Sequence, residues 1–162
     1  MKKPKIITVT GKSGSGKTTL IERLIGEYTA EGKSVSVLKS MRHHFDIDRE
    51  GKDTYRYREA GAGSALITNG KQIALMADIT EEETPLALAE KYFSDSDIVI
   101  IEGFKEGRTR KIEVIGDSEE PPLFENDSLI VMVVSDREFD TRLPQFRRDD
   151  IKGIFASIEK IF

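Results

Sequence analysis

One eight-residue stretch restricts the choice of fold more than any other part of the chain. It reads Gly11-Lys12-Ser13-Gly14-Ser15-Gly16-Lys17-Thr18 and matches every position of the pattern G-x-x-x-x-G-K-[ST]. The apolar residues 6–9 precede it and an amphipathic segment beginning with Thr19 follows it, which predicts a strand before the loop and a helix after it. A plain turn before a helix is the alternative. The complete match in this setting favours a loop that binds the phosphate groups of a nucleotide.

Each residue type in this loop suits the binding of phosphate together with a divalent cation. Glycines allow positive φ angles, so that successive backbone N–H groups can converge on phosphate oxygens. The N-terminus of the helix that follows adds a favourable dipole. We expect Lys17 to reach the β- and γ-phosphates and the Thr18 hydroxyl to bind Mg²⁺. The predicted nucleotide-binding residues therefore run from Gly11 to Thr19.

The composition limits which class of protein the chain can be. Its 162 residues suit one domain, predicted over residues 1–162, and 38% hydrophobic with 33% charged residues is typical of a soluble globular protein. A net charge of −4 disfavours nucleic acids and anionic membranes as partners. The sequence has no cysteine, which excludes disulfides and thiolate metal sites, and no apolar run long enough to span a bilayer. We therefore expect a cytoplasmic protein.

The order of the apolar segments predicts an α/β fold with a mostly parallel sheet. Residues 6–10 and 35–39 are predicted strands, and the segment between them has the apolar spacing of a helix packed on a sheet. Such a β-α-β unit implies a right-handed crossover and parallel strands. We expect a three-layer sandwich of the P-loop NTPase type. Its later elements are a helix that starts at Thr80 or Pro85 and runs to about Phe93, strands at 98–102, 112–115 and 129–134, and a closing helix with Asp149 and Asp150 in its first turn.

A hairpin signal interrupts this alternation. Two strand-like runs, residues 65–68 and 72–76, flank Asn69-Gly70-Lys71, and Asn-Gly between such runs favours a tight antiparallel turn. We expect this hairpin to attach to the parallel sheet and to make it a mixed sheet. Its exposed edge is a predicted surface for self-association.

A buried strand that ends in a carboxylate gives the second chemical signal. Four consecutive apolar residues, 98–101, are followed by Glu102 and Gly103. In P-loop proteins a strand of this kind places an acidic residue near Mg²⁺. We predict that Glu102 has this metal-linked role and that it acts with Lys17 in catalysis, whereas Asp97 should lie at the opposite edge of the sheet. An ordinary buried strand with an acidic end is the alternative.

The connection after the second predicted strand contains both histidines of the chain. His43 and His44 lie beside Asp46, Asp48 and Asp53. Adjacent histidines point in different directions on a regular element, so their spacing is poor for a metal site. The connection should nevertheless emerge at the same sheet edge as the phosphate loop, where ligands bind in open α/β sheets. Contacts to substrate or to the metal shell and a solvated polar loop are equally open interpretations.

Three further charged residues are candidates for ligand or partner contacts. Arg58 lies in a short predicted helix that Asp53 should cap and Gly61 should end. Lys105 begins a basic run, which is able to clamp a phosphate but is more often solvated. Asp136 follows the last predicted core strand, where many GTP-binding proteins read the N1 and N2 hydrogens of guanine.

Taken together, these segments make the sequence similar to the MobB family, the molybdopterin-guanine dinucleotide biosynthesis adaptor proteins. The resemblance covers most of the chain and implies a P-loop protein that binds GTP, hydrolyses it weakly and acts as a homodimer. It also implies that Lys17 and Thr18 hold phosphates and Mg²⁺, with Glu102 as the acidic partner. The residues that carry it are 11–20, His43-His44-Phe45-Asp46-Ile47-Asp48, Gly51-Lys52-Asp53-Thr54, Arg58-Glu59-Ala60-Gly61-Ala62 and Ile101-Glu102-Gly103-Phe104-Lys105.

The same resemblance implies partners and a pathway. The protein would assist the guanylyltransferase that joins GMP to molybdopterin, with molybdopterin as a further ligand and molybdoenzyme apoproteins as further partners. Two other functions stay open on the residues alone. One is a small-molecule kinase that uses the same loop, with Arg108 and Arg110 in a lid and Asp46 or Asp48 as the base. The other is a binding module in which the nucleotide only stabilises a complex.

Overall fold

The computed structural model describes residues 3–41, 43, 48–80 and 83–162, so His44 and Asp46 lie outside the described residues. Strands and helices alternate along most of the chain, as the apolar pattern predicts. In chain order the elements are β1 (Lys5–Thr10), α1 (Lys17–Ala30), β2 (Val35–Lys39), α2 (Asp53–Glu59), β3 (Ser64–Thr68), β4 (Ile73–Ala77), α3 (Pro85–Tyr92), β5 (Ile98–Glu102), β6 (Lys111–Val114), a 3₁₀ helix (Leu123–Glu125), β7 (Ile130–Val134), β8 (Gln145–Phe146) and α4 (Ile151–Ile161).

The chain packs as two compact units. The first comprises residues 1–41 and 84–162, and the second comprises residues 42–83. The first unit holds the large sheet with α1, α3 and α4, and the second holds α2 with the β3–β4 hairpin. The single nucleotide-binding domain over residues 1–162 stays a prediction.

The large sheet has the strand order β2-β5-β1-β6-β7-β8, and each described pair of neighbours in it is parallel. This confirms the predicted P-loop NTPase-type α/β fold. Glu102 at the end of β5 is level with Val9 of β1 on one side and with Lys39 of β2 on the other. Because parallel strands end at one edge, the loop after β1, Glu102 and the segment after β7 all lie at the carboxyl edge of this sheet.

The core lies on both faces of the large sheet, as a three-layer sandwich requires. Along β5, Ile98 and Ile100 belong to the cluster formed with α1 and α4, whereas Val99 and Ile101 belong to a second cluster with Ala89 of α3. Alternate residues of a strand point to opposite faces, so a strand covered by helices on both sides is apolar throughout. The buried helix residues of the first cluster are Leu20, Ile21, Leu24, Tyr28, Ile154 and Ile158.

The predicted hairpin is present, but it does not extend the parallel sheet. β3 and β4 pair with each other from Ser64↔Ala77 to Thr68↔Ile73 and form a two-stranded sheet of their own. The turn is closed locally, since the Asn69 side chain accepts hydrogen bonds from the backbone N–H groups of Lys71 and Gln72. The expectation of a mixed sheet was therefore wrong. Alternation and turn residues determine which strands pair across a turn, and they carry no information on which larger sheet the pair joins.

Helix starts differ from the sequence expectation by single residues. Lys52 is the N-cap of α2, so Asp53 is the first helical residue and does not cap the helix as predicted. Asp150 is the N-cap of α4 and accepts a hydrogen bond from Gly153 N at 3.0 Å. Of the two starts considered for α3, the structure uses Pro85, with the Thr84 hydroxyl accepting from Ala87 N. No helix within the described ranges is long and apolar enough to cross a bilayer.

Candidate nucleotide-binding site

The loop between β1 and α1 depends on glycine at defined positions. Gly11, Gly14 and Gly16 have φ angles of 139°, 74° and 98°, which side chains of L-residues rarely allow. A β-carbon on Gly11 would also lie 2.2 Å from the carbonyl oxygen of Val114. At Gly14 an added β-carbon would meet no atom within 4 Å, so this part of the backbone borders open space. The loop is therefore packed against β6 at its start and concave and accessible further along.

Polar groups of the loop and of the following helix fit a phosphate ligand. Gly16 is the N-cap of α1, and no side chain among the described residues caps the helix there. The first N–H groups of a helix have no partner within the helix, so they are available to an anion. The Ser15 hydroxyl oxygen is buried and has no hydrogen-bond partner in the part of the chain that the structure describes. These donors and the concave backbone fit the phosphate groups of a nucleotide.

Lys17 is held over the loop by the loop itself. Its Nζ donates to the carbonyl oxygen of Lys12 at 2.5 Å, which folds the side chain back across the residues between them. Burial lowers the pKa of Lys17, the carboxylate of Glu102 opposes this, and the charges of Lys105 and Lys39 lower it further. Two other predicted site residues, Glu102 and Lys105, thus lie within electrostatic range of Lys17. Lys39, at the end of β2, was not predicted.

Thr18 and Glu102, predicted as a metal-binding pair, do lie together. The Thr18 hydroxyl is 3.4 Å from Glu102 Oε1, and Lys39 Nζ is 3.9 Å from Glu102 Oε2. A hydroxyl and a carboxylate are oxygen ligands of the kind that Mg²⁺ takes, usually with phosphates and waters completing its shell. The described residues contain no cluster of three or more His, Cys, Asp or Glu side chains suited to a metal. The residues present therefore fit a nucleotide-bound Mg²⁺ better than a cation held by protein alone.

Close backbone packing fixes the position of Glu102. Ser40 N donates to Glu102 O at 2.8 Å, and Gly103 N donates to Val9 O at 2.9 Å, so the residues around Glu102 bond to the ends of β2 and β1. Gly103 has φ 94°, and a β-carbon there would lie 2.4 Å from the Ser40 carbonyl oxygen. The Glu-Gly pair in the sequence thus has a physical reason, since only glycine permits this approach.

Lys12 points to the other side of the loop. It forms an ion pair and hydrogen bond with Glu120, and this contact lowers the pKa of Glu120. A cavity of about 240 Å³ lies here, lined by residues 12–15 of the loop and by residues 113–118 and 120–122. Glu120 belongs to an acidic, proline-broken loop far along the chain, and no local signal in the sequence links it to Lys12.

Glu113 on β6 is a buried carboxylate of this cavity that sequence reasoning missed. It accepts hydrogen bonds from Leu123 N at 2.7 Å and Phe124 N at 2.9 Å. Burial raises its pKa, and the two backbone hydrogen bonds oppose that shift. The contacts anchor the 3₁₀ helix to β6, which explains why an acidic side chain occurs in a core strand.

Asp136 lies just past β7, as predicted, and its carboxylate is bonded to Arg148. Oδ2 accepts from Arg148 Nε at 2.6 Å and from Nη2 at 2.5 Å, and Oδ1 accepts from Arg148 N at 3.2 Å. These contacts hold the pKa of Asp136 below its ordinary value. A second cavity of about 310 Å³ adjoins the pair, lined by Gly16, Thr19, Leu20, Arg23, Val114, Asp136 and residues 147–149. The pair therefore lies at the end of the phosphate loop.

The remaining predicted contact residues belong to the second unit. Asp48 accepts a hydrogen bond from the Thr54 hydroxyl at 2.8 Å, and Arg58 forms an ion pair with Asp78 at 2.8 Å. His43 is exposed, and Asp53 lies in the first turn of α2. Their roles in substrate or partner contacts stay predictions, as do those of His44 and Asp46.

The parallel sheet, the glycine loop after its strand β1 and the acidic end of β5 define the class of protein: an α/β protein of the P-loop NTPase type. The family model MobB, described as "Molybdopterin guanine dinucleotide synthesis protein B", matches residues 6–136. The chain belongs to this family, which confirms the resemblance inferred from its motifs.

Relatives and solved structures agree with this assignment. A molybdopterin-guanine dinucleotide biosynthesis adapter protein of Haemophilus influenzae is 36% identical over 131 residues, which cover 80% of this chain and 74% of the relative. One of Escherichia coli is 31% identical over 147 residues, covering 88% and 84%. The crystal structure of a molybdopterin-guanine biosynthesis protein B superposes with a TM-score of 0.75 at 31% identity, over 96% of this chain and 97% of the other. Bacillus subtilis MobB gives 0.75 at 25% identity over 98% of each chain.

Proposed function

We propose that this protein is a GTP-binding adaptor of molybdenum cofactor biosynthesis, which assists guanylyl transfer to molybdopterin to form molybdopterin-guanine dinucleotide. The pathway follows from membership of the MobB family. One structural observation carries the nucleotide part. The open glycine loop at the start of α1 lies beside a hydroxyl and a carboxylate, Thr18 and Glu102, that are 3.4 Å apart.

The roles of the site residues follow from their positions. The loop N–H groups and Lys17 offset the charge of the phosphates, and Thr18 with Glu102 holds Mg²⁺. Mg²⁺, when bound, would supply positive charge that offsets the negative charge of the phosphates. Lys39 lies 3.9 Å from Glu102, a long contact that would leave this carboxylate free to hold a metal or its water.

Hydrolysis of GTP by this protein is expected to be slow. In efficient GTPases a glutamine orients the attacking water. The glutamines of this chain are Gln72 and Gln145. Gln72 follows the hairpin turn, and the Gln145 side chain accepts a hydrogen bond from Phe139 N. A protein with this site suits a switch or a delivery factor better than a fast hydrolase.

The proposed partners are a second copy of the chain, the molybdopterin guanylyltransferase and molybdoenzyme apoproteins, in the cytoplasm. The adapter names of the relatives support partners within this pathway. The kinase alternative has less support, because Arg110 donates to the carbonyl oxygen of Ile161 at the end of α4 at 2.6 Å. The side chain of Arg110, one of the two arginines that a substrate lid would need, is therefore already hydrogen-bonded elsewhere.

Nucleotide titration of the purified protein tests the proposal. We expect GTP to bind with Mg²⁺ at least as tightly as ATP, and Lys17→Ala to weaken GTP binding by about tenfold or more, since a charged hydrogen bond is lost. Glu102→Gln should leave metal-free binding nearly unchanged and remove most of the gain that Mg²⁺ gives. Lys160→Ala, an exposed lysine in the last turn of α4, is the matched control. ATP binding far tighter than GTP binding would contradict the proposal, as would a Lys17→Ala protein with full activity in cofactor assembly.

A further inference from the structure

Arg148 occupies a defined place beside the phosphate loop. A β-carbon built on Gly16 would lie 3.8 Å from both Cδ and Nη1 of Arg148. The backbone of Arg148 is fixed as well, because its carbonyl oxygen accepts from Arg23 Nη1 of α1 at 3.0 Å. Side chain and main chain are thus both held against the N-terminal part of α1.

The guanidinium is bonded along one edge only. Nε and Nη2 contact Asp136, and Nη2 also lies 4.0 Å from Asp117 Oδ1. Nη1 has no hydrogen-bond partner among the described residues, and it is the nitrogen nearest to Gly16. Arginine often binds a carboxylate through one edge while its remaining donors bind another anion, because its five N–H groups form a rigid planar set.

This geometry conflicts with the role predicted for Asp136. Reading guanine would require the carboxylate to accept from N1–H and N2–H of the base. Both oxygens already accept from Arg148, Oδ1 from its backbone and Oδ2 from its guanidinium. Binding a base there would break the contacts of Asp136 with the Arg148 guanidinium, and among the other described residues only Asp117, 4.0 Å from Nη2, forms an ion pair with Arg148.

We propose that Asp136 is a positioning residue, which holds the Arg148 guanidinium at the end of the phosphate loop, and that Arg148 binds a phosphate of the nucleotide. The inference rests on the proposed function, since it requires a nucleotide at the loop. It replaces guanine reading by Asp136. Arg148 then adds a second cation to the loop, beside the cavity at Gly16, whereas Lys17 lies near Glu102.

Titration of the wild type and five variants with GTP, ATP and xanthosine triphosphate tests this assignment. Arg148→Ala should weaken GTP and ATP alike by about tenfold, as expected for a lost charged hydrogen bond to phosphate. Asp136→Asn should weaken both by a smaller and equal factor, and the double variant should bind like Arg148→Ala. Arg148→Lys should recover part of the affinity, because it retains the charge. Arg142→Ala is the matched control, since Arg142 is an exposed arginine that lines neither of the two cavities.

Base selectivity gives the result that would overturn the inference. Xanthine has a carbonyl where guanine has the 2-amino group, so an asparagine amide can donate to it. If Asp136→Asn lost GTP but gained xanthosine triphosphate, Asp136 would read the base. Unchanged nucleotide binding by Arg148→Ala would equally overturn the inference. A folded wild-type protein that bound none of the nucleotides would instead overturn the proposed function on which it rests. Thermal unfolding of each variant separates loss of binding from loss of fold.

Discussion

In the first unit, the apolar residues 98–101 of β5 are almost completely buried, whereas in the second unit the hairpin strands expose theirs. Ile100 has no exposed surface, and Ile73 is 72% exposed; Leu66, Ile67 and Leu75 are also exposed. A two-stranded hairpin alone is marginally stable in water, and exposed apolar patches commonly mark association surfaces. The candidate nucleotide site therefore lies in a unit with its own core, while the hairpin has the character of a surface that gains stability from a partner. The homodimer stays a prediction, and the exposed hairpin gives it a location to test.

The largest expected effect comes from truncating one isoleucine in each unit. Ile100→Ala should lower the free energy of unfolding by about 2–5 kcal/mol, because it leaves a cavity between α1 and the sheet. Ile73→Ala should change it by less than about 0.5 kcal/mol at concentrations where the protein is monomeric. Urea unfolding measures both values, and sedimentation shows whether Ile73→Ala weakens self-association. Equal destabilisation by the two changes would remove the distinction between the units.

A glycine pair within the first unit gives the next effect. Gly11→Ala combines an unfavourable φ angle with a clash against β6, so we expect a loss of about 3 kcal/mol or more. Gly14→Ala faces open space and should cost only about 1–2 kcal/mol through its φ angle. Gly14→Ala should nevertheless impair nucleotide binding, since its side chain would enter the concave part of the loop. Similar unfolding midpoints for the two variants would show that contact with Val114 does not fix the loop.

The smallest expected effect concerns the pH dependence of the first unit. Pairing with Arg148 holds the pKa of Asp136 below its ordinary value of 3.8, so the ionised carboxylate is favoured in the folded state. This contribution is fully present above the ordinary value and is lost as the pH falls below it. The difference in urea midpoint between wild type and Asp136→Asn should therefore be larger near pH 6 than near pH 3. The difference in urea midpoint between wild type and Arg148→Ala should likewise be larger near pH 6 than near pH 3. A difference that does not change with pH in either variant would argue against the pairing in solution.

The elements that the sequence predicts best are those with local causes. β2 has the predicted bounds, and the loop residues, Glu102 and the hairpin turn are where their residue types require them. What was missed depends on contacts between distant segments. Arg148 meets Asp136 because β8 pairs with β7 in the sheet. The two residues of β8 are too few to show the alternation of apolar and polar residues that predicts a strand. Glu120 and Lys12 are 108 residues apart, and the choice of sheet for the hairpin likewise depends on tertiary structure.

The alternation of side chains along β5 determines both which core each apolar residue joins and which way Glu102 points. Ile98 and Ile100 face α1, and Glu102 has the same parity, which turns its carboxylate toward Thr18. Inserting or deleting one residue in this strand would exchange the side chains of the two cores and would also turn Glu102 to the far side of the sheet. Such a shift would therefore disturb the core and displace the Glu102 carboxylate together. The alternation of side chains along β5 therefore couples folding to the site. When both layers of the core pack correctly, Glu102 also faces the loop.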